Sequence, residues 1–230
     1  MQHEITQAIP LLDEQGELTQ PGWARRLLPV YDRSKVRGGP LRLKERDCYL
    51  VMNRQCALAL TISDNRYMGM DSISLIDLWE GWQVTRSPMR LMPLGGTGLP
   101  QSSLRGSCAR AGRGYGLLFQ HEGEGRTLHA HMDRFRDGQA LDAQILLTQE
   151  PEESIVMCTP FEKPGQFYFN QKINCMRAQG KVTLGDREYV FDPEDSFAVL
   201  DWGRGVWTCR GTWYWGSASG MVDGVPFGFN

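Results

Sequence analysis

The sequence lacks a large excess of charge of one sign. Its 230 residues include 25 lysines and arginines against 27 aspartates and glutamates, which gives a net charge of −2 at pH 7. Proteins that bind nucleic acid through its phosphates depend on a marked basic excess. We therefore expect no nucleic-acid partner.

Long hydrophobic runs are absent as well. No stretch reaches the roughly 18 consecutive apolar residues of a membrane-spanning helix. Residues 1–7 contain neither the basic part nor the apolar part of a secretory signal. We expect no integral membrane segment, and we predict a cytoplasmic location.

Cysteine motifs that would hold a metal or build a disulfide framework are missing. The six cysteines are widely spaced, form no C-x-x-C, and stand at positions 48, 56, 108, 158, 175 and 209. Disulfide frameworks belong to small secreted domains, so free thiols in a reducing compartment are the favoured interpretation. We predict no metal site and no cofactor.

Glycine (26 residues) and proline (12) are frequent, and they break the sequence into short runs of alternating apolar and polar residues. Such runs, at spacings of about 8–12 residues, are typical of antiparallel β-proteins. The predicted strands cover residues 47–62 as a pair, 115–119, 127–132, 141–147, 154–159, 166–175, 181–184, 187–191 and 207–218. A brief helix is predicted from Asp192 to about Gly203, because an N-cap aspartate followed by proline is a helix start.

The sequence Glu-Gly-Glu-Gly at 122–125 predicts a hairpin. If the turn centres on its second and third residues, Leu118 faces His129 and Gly116 faces His131. His121 then lies on the opposite face of the hairpin from these two histidines. Two histidines without a third ligand do not make a metal site.

No acidic residue lies between Glu80 and Glu122, although the interval contains arginines 86, 90, 105, 110 and 113. Connections of this length are uncommon unless they serve a function or are disordered. Two interpretations stay open. The interval is either a surface loop with solvated arginines or a loop that accepts an anionic ligand.

Alternation in the predicted strand 166–175 places four polar side chains on one face: Tyr168, Asn170, Lys172 and Asn174. If this face meets solvent, these side chains are simply hydrated. If it lines the inside of a barrel, the amine of Lys172 loses its water and its pKa falls.

Four of the seven tryptophans lie in one short segment: Trp202, Trp207, Trp213 and Trp215. Large aromatic residues on both faces of a strand indicate burial on both sides. Asp201 and Arg204, at the start of this segment, are predicted to form a charge-assisted pair. The pair is either a structural tie among core tryptophans or a polar mouth on an aromatic cavity.

Several strings of the sequence resemble the DUF2804 proteins, a bacterial family of unknown function. These strings are Glu-Ile-Thr at 4–6, Pro-Gly-Trp-Ala-Arg-Arg at 21–26, Phe-Asn-Gln-Lys-Ile-Asn-Cys-Met at 169–176, Asp-Trp-Gly-Arg-Gly-Val-Trp at 201–207 and Trp-Tyr-Trp-Gly-Ser-Ala-Ser-Gly at 213–220. More remotely, the pattern is similar to the paired lipocalin-like barrels of AttH and carotenoid 1,2-hydratase proteins. That similarity implies apolar, isoprenoid-type ligands, by analogy of fold.

We predict an all-β fold of two tandem lipocalin-like antiparallel barrels or sandwiches. Residues 1–150 would hold an N-terminal segment and the first barrel, and residues 151–230 the start of a second. Members of the resembling family continue beyond the equivalent of residue 230. The resemblance therefore implies an incomplete second barrel, whose open edge an oligomer would cover.

The leading functional hypothesis is a cavity that binds an apolar small molecule, with or without transforming it. In an enzyme, Asp201 would protonate or orient the substrate, with Lys172 or Tyr214 as partner in cofactor-free acid–base chemistry. The other predicted ligand-binding residues are Arg204, Asn170, Asn174, Trp202, Trp207, Trp213 and Trp215. The alternatives are a carbohydrate-binding or carbohydrate-processing protein, since tryptophans stack on sugars, and a scaffold without a ligand.

Overall fold

The structure is a computed structural model, and it describes residues 3–208, 210–212 and 214–230. A short 3-10 helix spans Arg33–Lys35. The strands are β1 (Ile9–Pro10), β2 (Gly22–Ala24), β3 (Pro29–Val30), β4 (Lys44–Met52), β5 (Cys56–Asp64), β6 (Met68–Asp77), β7 (Trp82–Arg86), β8 (Met89–Leu91), β9 (Gly106–Gly112), β10 (Tyr115–His121), β11 (Arg126–Arg136), β12 (Gln139–Thr148), β13 (Ile155–Pro160), β14 (Phe167–Leu184), β15 (Arg187–Phe191), β16 (Phe197–Val206), β17 (Ala218–Val222) and β18 (Val225–Phe229).

One large sheet contains fourteen of these strands, and ten of them follow one another in the order β7-β6-β5-β4-β16-β14-β12-β11-β10-β9. The pairings along this path are antiparallel, and β16 lies between β4 and β14. The predicted all-β class is confirmed. Across the described residues the strand order does not return on itself, so the sheet is not a closed barrel.

The sheet curls so that β7, at one end of the path, lies near β11. Arg86 Nε donates a hydrogen bond to the carbonyl oxygen of Phe135 at 2.9 Å. The guanidinium of Arg136 lies 3.8 Å from the ring centroid of Trp82. Because β16 joins β4, strands from before and after residue 150 share this curled sheet. The division into units at residue 150 stays a prediction.

The helix predicted from Asp192 is wrong. Asp192 does act as a cap, but it caps a turn: its side chain accepts from the Glu194 backbone N–H at 2.9 Å, and its carbonyl accepts from Ser196 N–H at 2.8 Å. β16 then begins at Phe197, and all ten of its residues are buried. Burial on both faces at the centre of a sheet outweighs the local helix signal.

The hairpin around residues 122–125 is confirmed in its predicted register, with Leu118 opposite His129 and Gly116 opposite His131. The strand predicted over 207–218 is wrong. Residues 207–208, 210–212 and 214–217 form no strand, and β17 begins at Ala218.

In the acid-free interval 81–121, Arg90 is held by Asp71 of β6. Arg90 donates from Nε and Nη2 to the two carboxylate oxygens of Asp71, at 3.0 and 2.9 Å. The hydroxyl of Tyr115 donates to the same carboxylate at 2.9 Å. Arg90 is therefore neither a solvated arginine nor one that is open to a ligand.

Five cysteines are free thiols: Cys48, Cys56, Cys108, Cys158 and Cys175. Cys209 lies outside the described residues. In the part of the chain that the structure describes, no helix is long and apolar enough to cross a membrane.

Candidate functional site

The two faces of β16 separate the predicted site residues. Because side chains alternate along a strand, Asp201 points to one face of the sheet and Arg204 to the other. The predicted pair between them is therefore wrong. Arg204 Nη1 lies 2.8 Å from Asp47 Oδ1, whereas Asp201 binds Lys172 and Arg46.

Arg204 is fully buried in the core. Its guanidinium lies 4.2 Å from the ring centroid of Trp202, and its Nε lies 3.6 Å from a carboxylate oxygen of Glu45. Nη2 donates to the carbonyl of Pro100 at 2.8 Å, which ties the long loop to the sheet. Arg33 also donates to Glu45, at 2.9 Å. Two of the predicted ligand-binding residues, Arg204 and Trp202, thus belong to a charge-balanced part of the core.

On the other face, Asp201 lies between two cations. β14 places Lys172 directly opposite Asp201, and Lys172 Nζ donates to Asp201 Oδ1 while Arg46 Nη2, from β4, donates to Oδ2. The side chains of Asp201, Lys172 and Arg46 are 9%, 12% and 28% exposed. Burial lowers the pKa of the Lys172 amine, although the charge of Asp201 opposes the shift. The amine is therefore largely removed from water, although the sheet that buries it is not the closed barrel in which the sequence placed that alternative. We call these three residues the Lys–Asp–Arg cluster.

Three further residues shape one side of this cluster. The ring of Tyr168 packs against Gly203, where an added Cβ would lie 3.0 Å from Tyr168 Cε2, so glycine makes room for the ring. Asn170 faces Gly203 in the strand register and is buried. Asn170 Oδ1 and Arg46 Nε find no hydrogen-bond partner among the described residues. Buried polar atoms are normally satisfied, so these two atoms are exceptions that lie within the cluster.

A groove of about 380 Å³ opens beside Lys172. It lies between β2, β13 and β14 on one side and the β17–β18 hairpin on the other. Its apolar lining includes Trp23, Ile155, Pro226 and Phe229, and its polar lining includes Lys172 and Asn174. The volume falls within the range of about 300–1,000 Å³ that is typical of small-molecule sites.

Asn174 anchors the hairpin that forms one wall of this groove. Its Nδ2 lies within hydrogen-bonding distance of Ser217 Oγ at 2.9 Å, Ala218 O at 3.0 Å and Phe229 O at 3.1 Å. Asn230 Nδ2 donates to Asn174 Oδ1 at 3.0 Å. Asn174, a predicted ligand-binding residue, therefore lines the groove and also holds its wall in place.

The remaining aromatic residues of the prediction are dispersed. Trp207 packs edge-on against the tyrosine of β14, with ring centroids 5.1 Å apart. The ring centroid of Trp215 lies 5.8 Å from Lys172 Nζ, and neither Trp207 nor Trp215 lines the groove. Tyr214 is 99% exposed, so the structure does not bring it to the cluster as a catalytic partner. Trp213 lies outside the described residues.

Sequence reasoning missed Arg46 and Trp23. A signal for Arg46 was present, because the charges alternate along residues 44–47, Lys-Glu-Arg-Asp, which gives β4 one basic and one acidic face. The basic face meets Asp201, and the acidic face meets Arg204. Trp23 carries no comparable signal, since its three-residue strand joins the site only by pairing with β13.

The site offers a desolvated amine, a carboxylate and a guanidinium at the side of an apolar groove. Among the described residues, no group of three or more histidine, cysteine, aspartate and glutamate side chains is placed to hold a metal. The Lys172–Asp201 pair can pass a proton between amine and carboxylate, and the groove can hold an apolar body beside it.

Fold and site together define an all-β protein with one large antiparallel sheet and a buried charged cluster beside a small-molecule groove. The chain belongs to the DUF2804 family, a domain of unknown function whose profile matches residues 2–230. The resemblance noted from the sequence is thereby confirmed. No curated protein matches the sequence significantly.

Two solved structures are similar to the chain. One is a candidate AttH from Nitrosomonas europaea, with a TM-score of 0.44 and 9% identity over 78% of this chain and 56% of that one. The other is CghA with Sch210972, with a TM-score of 0.43 and 12% identity over 86% of this chain and 55% of that one. The chain thus spans little more than half the length of either structure, and its function has to be argued from its own residues.

Proposed function

We propose that the protein binds an apolar small molecule with one polar end in the groove beside Lys172. The observation that carries the proposal is the placement of a desolvated amine at the wall of an otherwise largely apolar groove. Small-molecule sites commonly combine an apolar lining with a few convergent polar groups. The apolar body would contact Trp23, Ile155 and Phe229, and the polar end would face Lys172.

The charges beside the groove support a ligand that is not highly charged. Two cations, Lys172 and Arg46, share the single carboxylate of Asp201 inside the cluster. At the outer end, Arg25 Nη1 pairs with Glu153 at 3.3 Å. The positive and negative charges beside the groove therefore nearly cancel. A ligand whose polar end is uncharged or singly charged fits this site, whereas a polyanion does not.

Binding of the neutral apolar dye Nile red, followed by its fluorescence, tests the proposal. Ile155 lies opposite Lys172 in the β13–β14 register and lines the groove. We expect Ile155→Glu to weaken dye binding at least about tenfold, because a carboxylate placed against the apolar body must be desolvated. Solvent extraction of the purified protein, followed by mass spectrometry, would identify an apolar molecule that copurifies.

The matched control is Leu91→Glu, which adds the same charge at a side chain that is 87% exposed on β8. It should leave dye binding unchanged. Equal binding by the wild type and both variants would contradict the proposed groove.

The sugar-binding alternative requires exposed, coplanar tryptophans. Trp202 is buried in the core, Trp207 packs edge-on against a tyrosine, and Trp215 is half exposed beside Lys172. These three do not form a stacking platform, so we favour the apolar ligand. The scaffold alternative predicts no cavity beside Trp207 and Trp215, and neither of them lines the groove, so this observation favours the scaffold. The groove along Lys172 and Asn174, which that alternative does not predict, is the reason we propose a ligand.

Several finer predictions accompany this proposal. They are the tandem lipocalin-like arrangement with a boundary near residue 150, a cytoplasmic location, and an oligomer that covers the C-terminal edge. The exposed apolar side chains of β18, among them Phe227 and Phe229, support the last of these. Native mass spectrometry of the purified chain would measure its oligomeric state directly.

A further inference from the structure

We propose that Lys172 forms a covalent imine with an apolar aldehyde or ketone that occupies the groove. The proposal deepens the ligand-binding function above and rests on it, because the carbonyl compound must first enter the groove. It narrows the ligand class to molecules with an apolar body and one carbonyl group.

The position of Lys172 distinguishes it from the other lysines of the chain. Its side chain is 12% exposed and lines the groove, whereas those of Lys35 and Lys181 are 34% and 57% exposed and pair with glutamates at the surface. Lys163 is exposed in a turn, and the amine of Lys44 lies 5.1 Å from the ring centroid of Trp207. Lys35 also borders an apolar groove, beside Ile9 and Val30, but its side chain is more exposed and its amine pairs with Glu14 at 2.6 Å. Of the three lysines that form ion pairs with acids, Lys172 is the least exposed.

The second cation of the cluster favours a reactive amine. Asp201 divides its two oxygens between Lys172 and Arg46, so that protonated Lys172 leaves one positive charge in excess. A lysine becomes nucleophilic when it is desolvated or stands beside another cation, and both conditions hold here.

Six charged or titratable groups lie around the Lys172 amine or in the groove beside it. They come from β16, β4 and β14 and from the outer end of the groove: Asp201, Arg46, Cys48, Tyr168, Arg25 and Glu153. Burial lowers the pKa of the amine, and the charge of Arg46 acts in the same direction. Asp201 acts against it, which keeps a proton close to the reacting nitrogen.

The step balances within the cluster. Asp201 accepts a proton from the Lys172 ammonium, and the free amine attacks the carbonyl carbon, so that a C–N bond forms and the C=O bond opens. A second proton then passes from the attacking nitrogen to the oxygen and gives the neutral carbinolamine. Proton return from Asp201 lets the carbinolamine oxygen leave as water, and the nitrogen lone pair closes the C=N bond. The net change converts one lysine ammonium and one carbonyl compound into one iminium and one water, without an oxidant or reductant.

Reductive trapping tests the inference on the full chain. The protein is incubated near neutral pH with cinnamaldehyde, a neutral apolar aldehyde, and sodium cyanoborohydride, which reduces an iminium to a stable secondary amine. Peptide mass spectrometry then compares the adduct at each of the five lysines. We expect labelling at Lys172 to exceed labelling at exposed Lys163 by at least about tenfold, although exposure alone would favour Lys163.

Two variants complete the experiment. Lys172→Arg should abolish the dominant adduct, and circular dichroism checks that the variant is folded. Lys163→Arg, a change of the same type at an exposed site, should leave labelling at Lys172 unaltered. Because the site is mapped in the wild type, the inference can fail even if Lys172→Arg does not fold.

Nile red separates failure of this inference from failure of the binding function. Dye binding that depends on Ile155, together with labelling spread over the exposed lysines, would overturn the imine while leaving the groove function intact. An absence of groove-dependent dye binding would overturn both. Protection of Lys172 from labelling by excess cinnamyl alcohol, which has no carbonyl group, would support a shared groove.

Discussion

Arg204 shows how a single residue ties this fold together. The guanidinium is fully buried. It pairs with Glu45 and Asp47 of β4 and donates a hydrogen bond to the carbonyl of Pro100. A buried ion pair contributes little net stability, but removing one partner leaves the other charged and desolvated. Loss of Arg204 would therefore destabilise the fold mainly because Glu45 and Asp47 would stay buried without a cation.

We expect Arg204→Met to lower the free energy of unfolding by about 3–5 kcal/mol, because Glu45 and Asp47 would lose their buried cation. Urea denaturation followed by circular dichroism measures the change. Arg54→Met alters an exposed arginine in a turn and serves as the control. A loss of similar size in both variants would refute the structural role of Arg204.

For single residues, the sequence predicted which side chains share a face in one strand, and it failed to predict the partners of Asp201 and Arg204. Strand alternation placed Lys172 on one face with Tyr168 and Asn170, because its own strand was identified correctly, but it left open whether that face is hydrated or enclosed. The predicted pair of Asp201 with Arg204 is wrong, because both residues lie within β16 and not at the start of a later strand. In a strand, residues three apart lie on opposite faces.

Among the elements, the β17–β18 hairpin depends most on a few polar contacts. All five residues of β18 are exposed, and Asn174 holds the hairpin to β14 together with a bond from Cys175 N–H to Ser219 Oγ at 3.1 Å. Exposed elements with few buried apolar contacts open more readily than the core.

We expect Asn174→Ala to increase the rate of proteolytic cleavage within residues 207–217 by about tenfold, since each lost hydrogen bond costs about 0.5–1.5 kcal/mol. Limited trypsin digestion and mass spectrometry would measure the rate. Gln83→Ala, on an exposed face of β7, is the control. Cleavage at the wild-type rate in Asn174→Ala would show that the hairpin is held by other contacts.

Turn chemistry explains which elements the sequence could predict. The glycine-rich hairpin at 122–125 constrains its own register, and that register was found. The aspartate and proline at 192–193 are compatible both with a helix start and with a turn, and only the burial of Phe197–Val206 decides between them. That burial depends on β4, about 150 residues away in the sequence, which local patterns do not record.

For the whole molecule, the central position of β16 links the two halves of the chain. β4 pairs with β5 on one side and with β16 on the other, so that it needs a strand from beyond residue 150 to complete its hydrogen bonds. If the chain does divide near residue 150, the two parts would be separate structural units that still have to fold together.

We expect a fragment of residues 1–150 to lack a cooperative thermal transition, because β4 would lose a partner and its buried acids would lose Arg204. Circular dichroism during heating measures this, and the full chain provides the reference. Coexpression with residues 151–230 should restore the transition. A fragment that melts cooperatively by itself would establish the first 150 residues as an independent domain.

The double role of Asn174 has a consequence for the affinity of any ligand in the groove. One side chain lines the groove and also fastens the hairpin that forms one of its walls. A substitution at Asn174 would therefore remove a polar contact and also loosen a wall, and its effect on affinity would combine the two. A substitution at Trp23 or Ile155, on the opposite side, would change the lining and leave the hairpin contacts of Asn174 in place.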